Sequence, residues 1–587
     1  MIPRNMKNET RQCQNCKKDF TIEPDDFGFY EKIKVPPPTF CPECRFQRRM
    51  TWRNDWHLFK KKDIFSGKEI FSFLPAESEI KICDRDYWIS DAWNPMDYGK
   101  EYDFSRPFFE QYKELLYTVP LPAHSMYNIV NCHYCTNANN IKGCYLVRGA
   151  SYTEDSAYLI WDGFSKQCLD SHMTNKCELS YGNVNTSICY KTFFSVDCEN
   201  CQEMILCKDC VGCNSCIASV SLRNKSYCIF NVQYTKEEYL KKSKHYNLGS
   251  DKDFQKLKVQ AHQHWMKYPQ KYIHGHQNVN VSGDYIYESK NAHQCFRVRG
   301  VEDSKFVQNM TTIGVKDCYD YSNYGDNVEL VYESLIVGSG AYNIKFCTQL
   351  FPDVKNLNYC IFCDKSSDLF GCVSLRNKKY CILNKQYTKE EYERIVPKII
   401  EQMNEMPYID KKGRSYRYGE FFPSEFSFLP YEKTAAHEFF PLTEKEAETK
   451  GFLWYKTAKQ NYKITLKNND ISDDIKDIDE NIIDQVIECA HKEFCGHECT
   501  GAFRVIKMEL DFLKRMNLPL PRLCTNCRHS ERLILRNPPV FHNRKCMCDK
   551  KNHFHGAEKC KVEFETSYAP DRPEIVYCEK CYQQEVY

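Results

Sequence analysis

Ser221-Leu-Arg-Asn-Lys-Ser-Tyr-Cys228-Ile-Phe-Asn231-Val-Gln-Tyr-Thr235-Lys-Glu-Glu238-Tyr239 recurs, nearly letter for letter, as Ser374-Leu-Arg-Asn-Lys-Lys-Tyr-Cys381-Ile-Leu-Asn384-Lys-Gln-Tyr-Thr388-Lys-Glu-Glu391-Tyr392, 153 residues further on. The middle of the chain is therefore a tandem duplication. Each copy closes on a helix start. Thr235 with Glu238, and Thr388 with Glu391, have capping-box spacing, in which each side chain satisfies a backbone N–H that the first helical turn leaves free. Ahead of each helix, short β-rich pieces such as Cys144-Tyr-Leu-Val147, Ala157-Tyr-Leu-Ile-Trp161, Cys189-Tyr-Lys-Thr-Phe-Phe194 and Val328-Glu-Leu-Val-Tyr332 follow one another about every 9 to 13 residues, separated by Asn, Asp, Gly and Ser. Strands so short and so evenly spaced predict a right-handed β-solenoid, whose stacked turns bury one inner column and whose open ends the helices cap. A β-sandwich per copy is the alternative, and the short-lived period-2 alternation speaks against it.

Outward from the repeats, the chain changes character at both ends. Its 587 residues exceed what one core serves, and the composition, with 36 Phe, 40 Tyr and 35 Cys, is that of a globular chain. No apolar run approaches the roughly 18 residues of a membrane span, and Met1 to Arg11 is polar, so a cytoplasmic, non-membrane protein is expected. In that setting cysteines in Cys-x-x-Cys pairs favour metal over disulfides. The expected fold class is multidomain and mainly β: a duplicated solenoid-like middle with treble-clef or zinc-ribbon modules at both ends. The expected parts are residues 1–95, an N-terminal zinc module with a degenerate second copy; 96–124, a helical linker; 125–247, the first solenoid copy; and 248–276, a connector helix. Residues 277–403 form the second copy, 404–487 a packed connector ending in a helix around Asp470 to Asp484, and 488–587 a double zinc module.

Cys13-x2-Cys16 and Cys41-x2-Cys44 are two knuckles suited to one tetrahedral Zn²⁺ with no open coordination position. The pattern returns at a shift of 483 residues, where Cys41, Cys44, Arg45, Arg49, Arg53 and Asn54 match Cys524, Cys527, Arg528, Arg532, Arg536 and Asn537. Cys16 falls on Cys499, and Cys13 falls beside Cys495 with one residue of slippage. This assigns Cys495, Cys499, Cys524 and Cys527 to a second zinc, with Cys489, His491 and His497 as substitutes. A third set, Cys546, Cys548, Cys578 and Cys581, lies near the C-terminal end, with His553, His555 and Cys560 nearby, making about three zinc ions per chain. In the N-terminal module the corresponding stretch, Ile82-Cys83-Asp-Arg-Asp86-Tyr87, keeps Cys83 and has Asp86 where the other thiol would sit, which predicts a metal-free copy.

Arg45, Arg49 and Arg53, like Arg528, Arg532 and Arg536, are four residues apart and so share a helical face. With Lys+Arg 81 against Asp+Glu 79, any polyanion site must be local, and these two stripes are the candidates for contacting RNA phosphates. The alternative is a carboxylate-paired face. Taken together, Cys-Pro-Glu-Cys-Arg, Asp86-Tyr-Trp88, Phe104-Ser-Arg-Pro-Phe-Phe-Glu-Gln111, the Leu-Arg-Asn-Lys repeats and Tyr568-Ala-Pro-Asp-Arg-Pro-Glu-Ile-Val-Tyr577 resemble a cysteine-rich zinc-ribbon family of small-genome candidate-phylum bacteria. That resemblance implies no activity.

Cys207-x2-Cys210-x2-Cys213-x2-Cys216 has the look of an iron–sulfur run. In the second copy the equivalent positions are Cys360, Cys363, Ser366 and Leu369, so packing inside the solenoid is favoured over cluster binding. No hydrolase, zincin or phosphate-loop motif is present, and His274-Gly-His276 reads as loop. The expectation is a non-enzymatic multi-zinc scaffold whose partner is RNA, a ribonucleoprotein or protein. The alternative is an enzyme, either a polysaccharide-active solenoid groove or a treble-clef nuclease.

Overall fold

A computed structural model describes residues 7–310, 312–456, 462–492, 495 and 498–586; Met1 to Met6 of the polar start and His497 lie outside the described residues. The middle is a β-solenoid of about 21 turns. In the first copy the strands stack in parallel exactly one coil apart, with Glu178 on Tyr190, Tyr190 on Gln202, Gln202 on Asn214 and Asn214 on Ser226, so a coil is 12 residues. Bridges recur within a coil every third residue, as in His133 on Tyr145, Thr136 on Arg148 and Asn139 on Ser151. A coil is thus four triplets.

The triplet has one backbone rule. From Asn128 to Phe230 every third residue has positive φ, and four of these positions are glycine. The next residue points inward: Cys207, Cys210, Cys213 and Cys216 follow Leu206, Asp209, Gly212 and Ser215, and all four thiols are buried. Left-handed backbone costs a non-glycine residue about 1–2 kcal/mol. The offset is a hydrogen bond to the preceding coil, since Asp197, Asn200, Leu206 and Asp209 donate to the carbonyls of Val184, Ser187, Phe193 and Val196 at 2.9–3.1 Å. Asn and Asp tolerate the conformation and add side-chain ladders, such as Asn128 to Asn140 at 2.9 Å and Asn185 to Asp197 at 2.7 Å. In the second copy coils widen to 13 or 14 residues, where Val301 pairs with Val315 and Val315 with Val328, and strands lengthen to 11 residues in Val315–Gly325 and Val328–Gly338.

Both expected capping boxes are formed, opening the helices Lys236–Ser243 and Lys389–Glu405. Asp251–Trp265 is a further helix between the copies, and its Phe254, Leu257, Ala261 and Trp265 pack on the first. The helix expected around Asp470 to Asp484 is instead three short 3₁₀ turns, Asn468–Asp470, Ile475–Asp477 and Glu480–Asp484. Asp474 and Asp479 each bond the N–H two residues on, restarting the chain before a helix can propagate.

The terminal modules cross over. The N-terminal module packs against the second solenoid copy and the aromatic connector of Tyr416, Phe421, Phe422 and Tyr431, while residues 489–527 of the C-terminal module pack against the first and its last hairpin also reaches the second, where Ser567 bonds Asp284. Hydrogen bonds between coils align the copies. Cys207 bonds Ser195 and Ser195 bonds Asn183, which in turn bonds Ser171. Cys360 bonds Cys347, Cys347 bonds Ser334, and Ser334 stacks on Tyr321. Asp170 and Asp320, one residue before Ser171 and Tyr321, are therefore equivalent, and each receives the arginines of the module from the other end of the chain.

Candidate metal centres

One knuckle occurs four times. In each, a short strand ends just before the first ligand position and pairs antiparallel with the strand that follows the second, and a helix begins with the last pair. Glu9–Gln12 pairs with Asp19–Ile22 and precedes Cys13; Ile487–Glu488 pairs with Ala502–Phe503 and precedes Cys489; His542–Lys545 pairs with Glu563–Thr566 and precedes Cys546. The helices Pro42–Met50, Thr525–Ile534 and Glu579–Val586 start immediately after Cys41, Cys524 and Cys578. In all three the N–H of that cysteine donates to the first sulfur at 3.2 Å: Cys41 to Cys13, Cys524 to Cys489 and Cys578 to Cys546.

The resulting sets are Cys13, Cys16, Cys41 and Cys44; Cys489, Cys499, Cys524 and Cys527; and Cys546, Cys560, Cys578 and Cys581, each with all sulfurs within 4.8 Å. Tetrahedral Zn²⁺ with bonds of about 2.3 Å places its sulfurs about 3.8 Å apart. The sulfurs of Cys16 and Cys41 are 3.7 Å apart, and those of Cys489 and Cys527, Cys499 and Cys524, and Cys560 and Cys578 are each 3.9 Å apart. The thiols within each set are electrostatically coupled. The hydrogen bonds from Cys41 and Cys44 pull Cys13 far below the usual thiol range, and the one from Cys489 brings Cys524 to about 4. Its bond to Cys13 pushes Cys41 up to about 12. A single thiolate thus suppresses its neighbours, and four become anionic together only around a positive ion.

Two expected ligands change place. Cys489, not Cys495, fills the position of Cys13, because the register of the hairpin places Cys489 directly after its strand, whereas Cys495 sits in the enlarged loop that follows. Cys495 still reaches Cys527 at 3.5 Å and forms a smaller group with His491 and Cys527. Likewise Cys560, not Cys548, completes the last set. The second ligand stands two residues before the carbonyl that receives the N–H of the first, as Cys16 precedes Lys18 and Cys560 precedes Val562. Cys548 belongs instead to a fourth group with His553, His555 and Cys581.

The degenerate copy has a different logic from the one read in the sequence. Its ligand positions are occupied by Asp63, Ser66, Asp84 and Tyr87, not by Cys83 and Asp86. The Asp84 N–H donates to Asp63 at 3.4 Å and the Ser66 hydroxyl to Asp63 at 2.9 Å, so one carboxylate closes the knuckle. Cys83 lies one residue early and is buried against the Leu121 carbonyl.

The arginine stripes do not face solvent. Arg45, Arg49, Arg53, Arg528, Arg532 and Arg536 are all at most 8% exposed. Arg45 and Arg49 bind Asp320 at 2.8 and 3.0 Å, and Arg53 binds Asp55 at 2.5 Å. Arg528 binds Glu509 at 2.6 Å, Arg532 binds Asp170 at 2.7 Å, and Arg536 pairs with Glu438. Arg48 joins them on Glu333 and Glu420. The expectation of a phosphate-contacting face is corrected. The face is spent on buried ion pairs: Arg45, Arg49, Arg528 and Arg532 reach the solenoid's Asp320 and Asp170, while Arg53 and Arg536 pair with Asp55 and Glu438 outside it.

The thiols of the solenoid line its interior and form no metal group among the described residues. They bond backbone instead, as Cys207 does to the carbonyls of Ile205 at 3.5 Å and Cys216 at 3.4 Å. His274 lies in a loop, as read, and is largely covered, with 11% of its side chain exposed: Nδ1 lies 2.9 Å from Asp284 and the ring stacks on Tyr285. It borders a cleft of about 590 Å³ between solenoid and C-terminal module, lined also by Asp197, Glu199, Asp209, His276, Glu579 and Tyr582. Asp209 is held by Arg223 and Tyr582, Asp197 by Asn185 and Tyr285, and Glu199 lies 3.7 Å from His276.

No helix among the described residues is long and apolar enough to cross a membrane. No family model and no curated protein matches the chain. Among solved structures, a protein described as an acetyltransferase of Desulfovibrio desulfuricans G20 is 10% identical, over 50% of this chain and 72% of its own, with a TM-score of 0.09. A UDP-N-acetylglucosamine acyltransferase of Campylobacter jejuni is 7% identical, over 51% of this chain and all of its own, with a TM-score of 0.08. Likeness at this level carries no conclusion about fold or activity, and the chain is described by its cysteine clusters and its solenoid.

Proposed function

We propose that the chain is a non-enzymatic scaffold in which zinc locks two terminal modules onto a β-solenoid, presenting a rigid rod to protein partners. The observation that carries this reading is the sulfur separation of 3.7–3.9 Å in three four-thiol sets, the spacing of a closed tetrahedral shell. A closed shell leaves no position for substrate, so the metal acts on structure. RNA as the partner loses its chief support, since the arginines proposed to contact it are buried in ion pairs.

Elemental analysis of protein purified under reducing conditions should find at least three zinc ions per chain. Chelation should then expose the amides of the two modules to hydrogen exchange before those of the solenoid, because metal binding and folding are coupled only at the ends. One zinc or fewer, or exchange that begins in the solenoid, overturns the reading. One observation favours the enzymatic alternative, the carboxylates of the cleft beside His274. A polysaccharide or nucleic acid hydrolysed by the parent but not by Glu199→Gln would establish it.

A further inference from the structure

We propose that the C-terminal module holds two metal ions bridged by the thiolate of Cys581: one also bound by Cys546, Cys560 and Cys578, the other by Cys548, His553 and His555. The inference rests on the metal reading above and extends it from three ions to four. Cys581 belongs to both groups, and within each every ligand atom lies within 4.8 Å of the others.

The hydrogen bonding of the histidines points to a ligand that is not a proton. Cys548 Sγ lies 3.1 Å from His553 Nδ1 and 3.3 Å from His555 Nε2. The Nδ1 of His555 lies 2.6 Å from the Glu558 carbonyl, which only accepts, so Nδ1 carries the hydrogen and the lone pair of Nε2 faces the cluster. His553 Nε2 lies 3.5 Å from the Glu585 carboxylate, which places its hydrogen there and its Nδ1 lone pair on Cys548. Two lone pairs therefore converge on one thiol, which has a single proton to give. A cation among Cys548, His553, His555 and Cys581 satisfies both nitrogens at once. Engagement of the outer ring nitrogen by a carbonyl or carboxylate is also how metal-bound imidazoles are oriented.

The chain makes room for this second ion. In the N-terminal knuckle only Cys13 to Lys18 separates the paired strands; in the last, residues 546–562 do, and that excursion carries Cys548, His553 and His555. Cys548, Cys581 and His553 are buried. Charge also favours two ions. Five thiolates around two dications leave one net negative charge, whereas one dication with four thiolates leaves two and strands Cys548.

Metal content separates the outcomes. The full chain should bind four zinc ions, and the double variant His553→Ala/His555→Ala should bind three. After exchange with cadmium-113, the parent protein should show one resonance in the range of mixed sulfur and nitrogen ligation, split by coupling to a second cadmium through the shared sulfur; this arm needs no variant to fold. Three ions in the parent and no coupling overturn the bridge while leaving the structural zinc reading in place. Four ions in both parent and variant overturn it as well, since the fourth ion then lies elsewhere. One ion or none removes the metal reading itself.

Discussion

Asp320 sits where two guanidinium groups converge, and it, Arg45 and Arg49 are each at most 1% exposed. Removing one partner of such a set leaves uncompensated buried charge, so Asp320→Asn should lower stability by about 3–5 kcal/mol, read as a fall in the denaturant midpoint. An unchanged midpoint would show that the ion pairs do not hold the module down. His274 gives a prediction with a pH signature. Burial works against its charge, but Asp284 and then Asp197 and Asp209 outweigh it and carry its pKa from 6.5 to about 9. A raised folded pKa contributes stability that is complete below about pH 6.5 and lost as pH rises through about 9, worth on the order of 3 kcal/mol. His274→Gln should therefore be destabilised at pH 6 and approach the parent by pH 10; a pH-independent difference would mean that packing on Tyr285, not charge, is what His274 supplies. At this scale sequence reading was uneven. The thiols of Cys13, Cys16, Cys41 and Cys44 are legible because ligand chemistry dictates their pairing. The arginines were not, because a helical stripe of positive charge looks the same whether water or a carboxylate of a residue some 270 positions away faces it.

Repetition in the solenoid was legible as a duplication and as even spacing, but the triplet was hidden. The familiar strand signal alternates every second residue, whereas here every third residue points inward, and Cys-x2-Cys-x2-Cys-x2-Cys is that period written in thiols. Its likeness to an iron–sulfur run arises because both arrangements set cysteines three apart, one to converge on a cluster and the other to stack along an axis. The left-handed residue of each triplet offers a test. Ile188 is β-branched, has φ 53° and is 51% exposed, so it bears the conformational cost without a buried contact to offset it. Ile188→Asn should stabilise the solenoid by about 1 kcal/mol, measured as a higher melting temperature. It would also place an amide one coil below Asn200, as Asn128 stands below Asn140. A lower melting temperature would mean that the Ile188 side chain does more than the backbone argument allows. The knuckles were legible as elements, and their ligands slipped only where loops grew. Cys489 and Cys560 occupy positions set by hairpin register, which spacing alone does not reveal once residues 489–501 and 546–562 lengthen.

Across the whole molecule, each terminal module is seated on the solenoid copy nearer the other end of the chain. A cut in the exposed segment around Lys244 would separate the first solenoid copy from the second in covalent terms, yet each fragment would keep hold of the other through a docked module. The fragments 1–244 and 245–587 should co-elute in size-exclusion chromatography, and separate once a chelator removes the metal. Separation without chelator would show that the docking faces are too weak to act alone. None of this crossing was legible in the sequence, since a duplication specifies which surfaces match but not which copy of each is chosen. It also gives the molecule a timetable. Arg45, Arg48 and Arg49 leave the ribosome roughly 270 residues before Asp320 and Glu333, an interval of about 15–50 s at ordinary rates of synthesis. Through that interval the newborn N-terminal module has no seat, and a strongly basic face that the finished protein conceals is open to the surrounding polyanions.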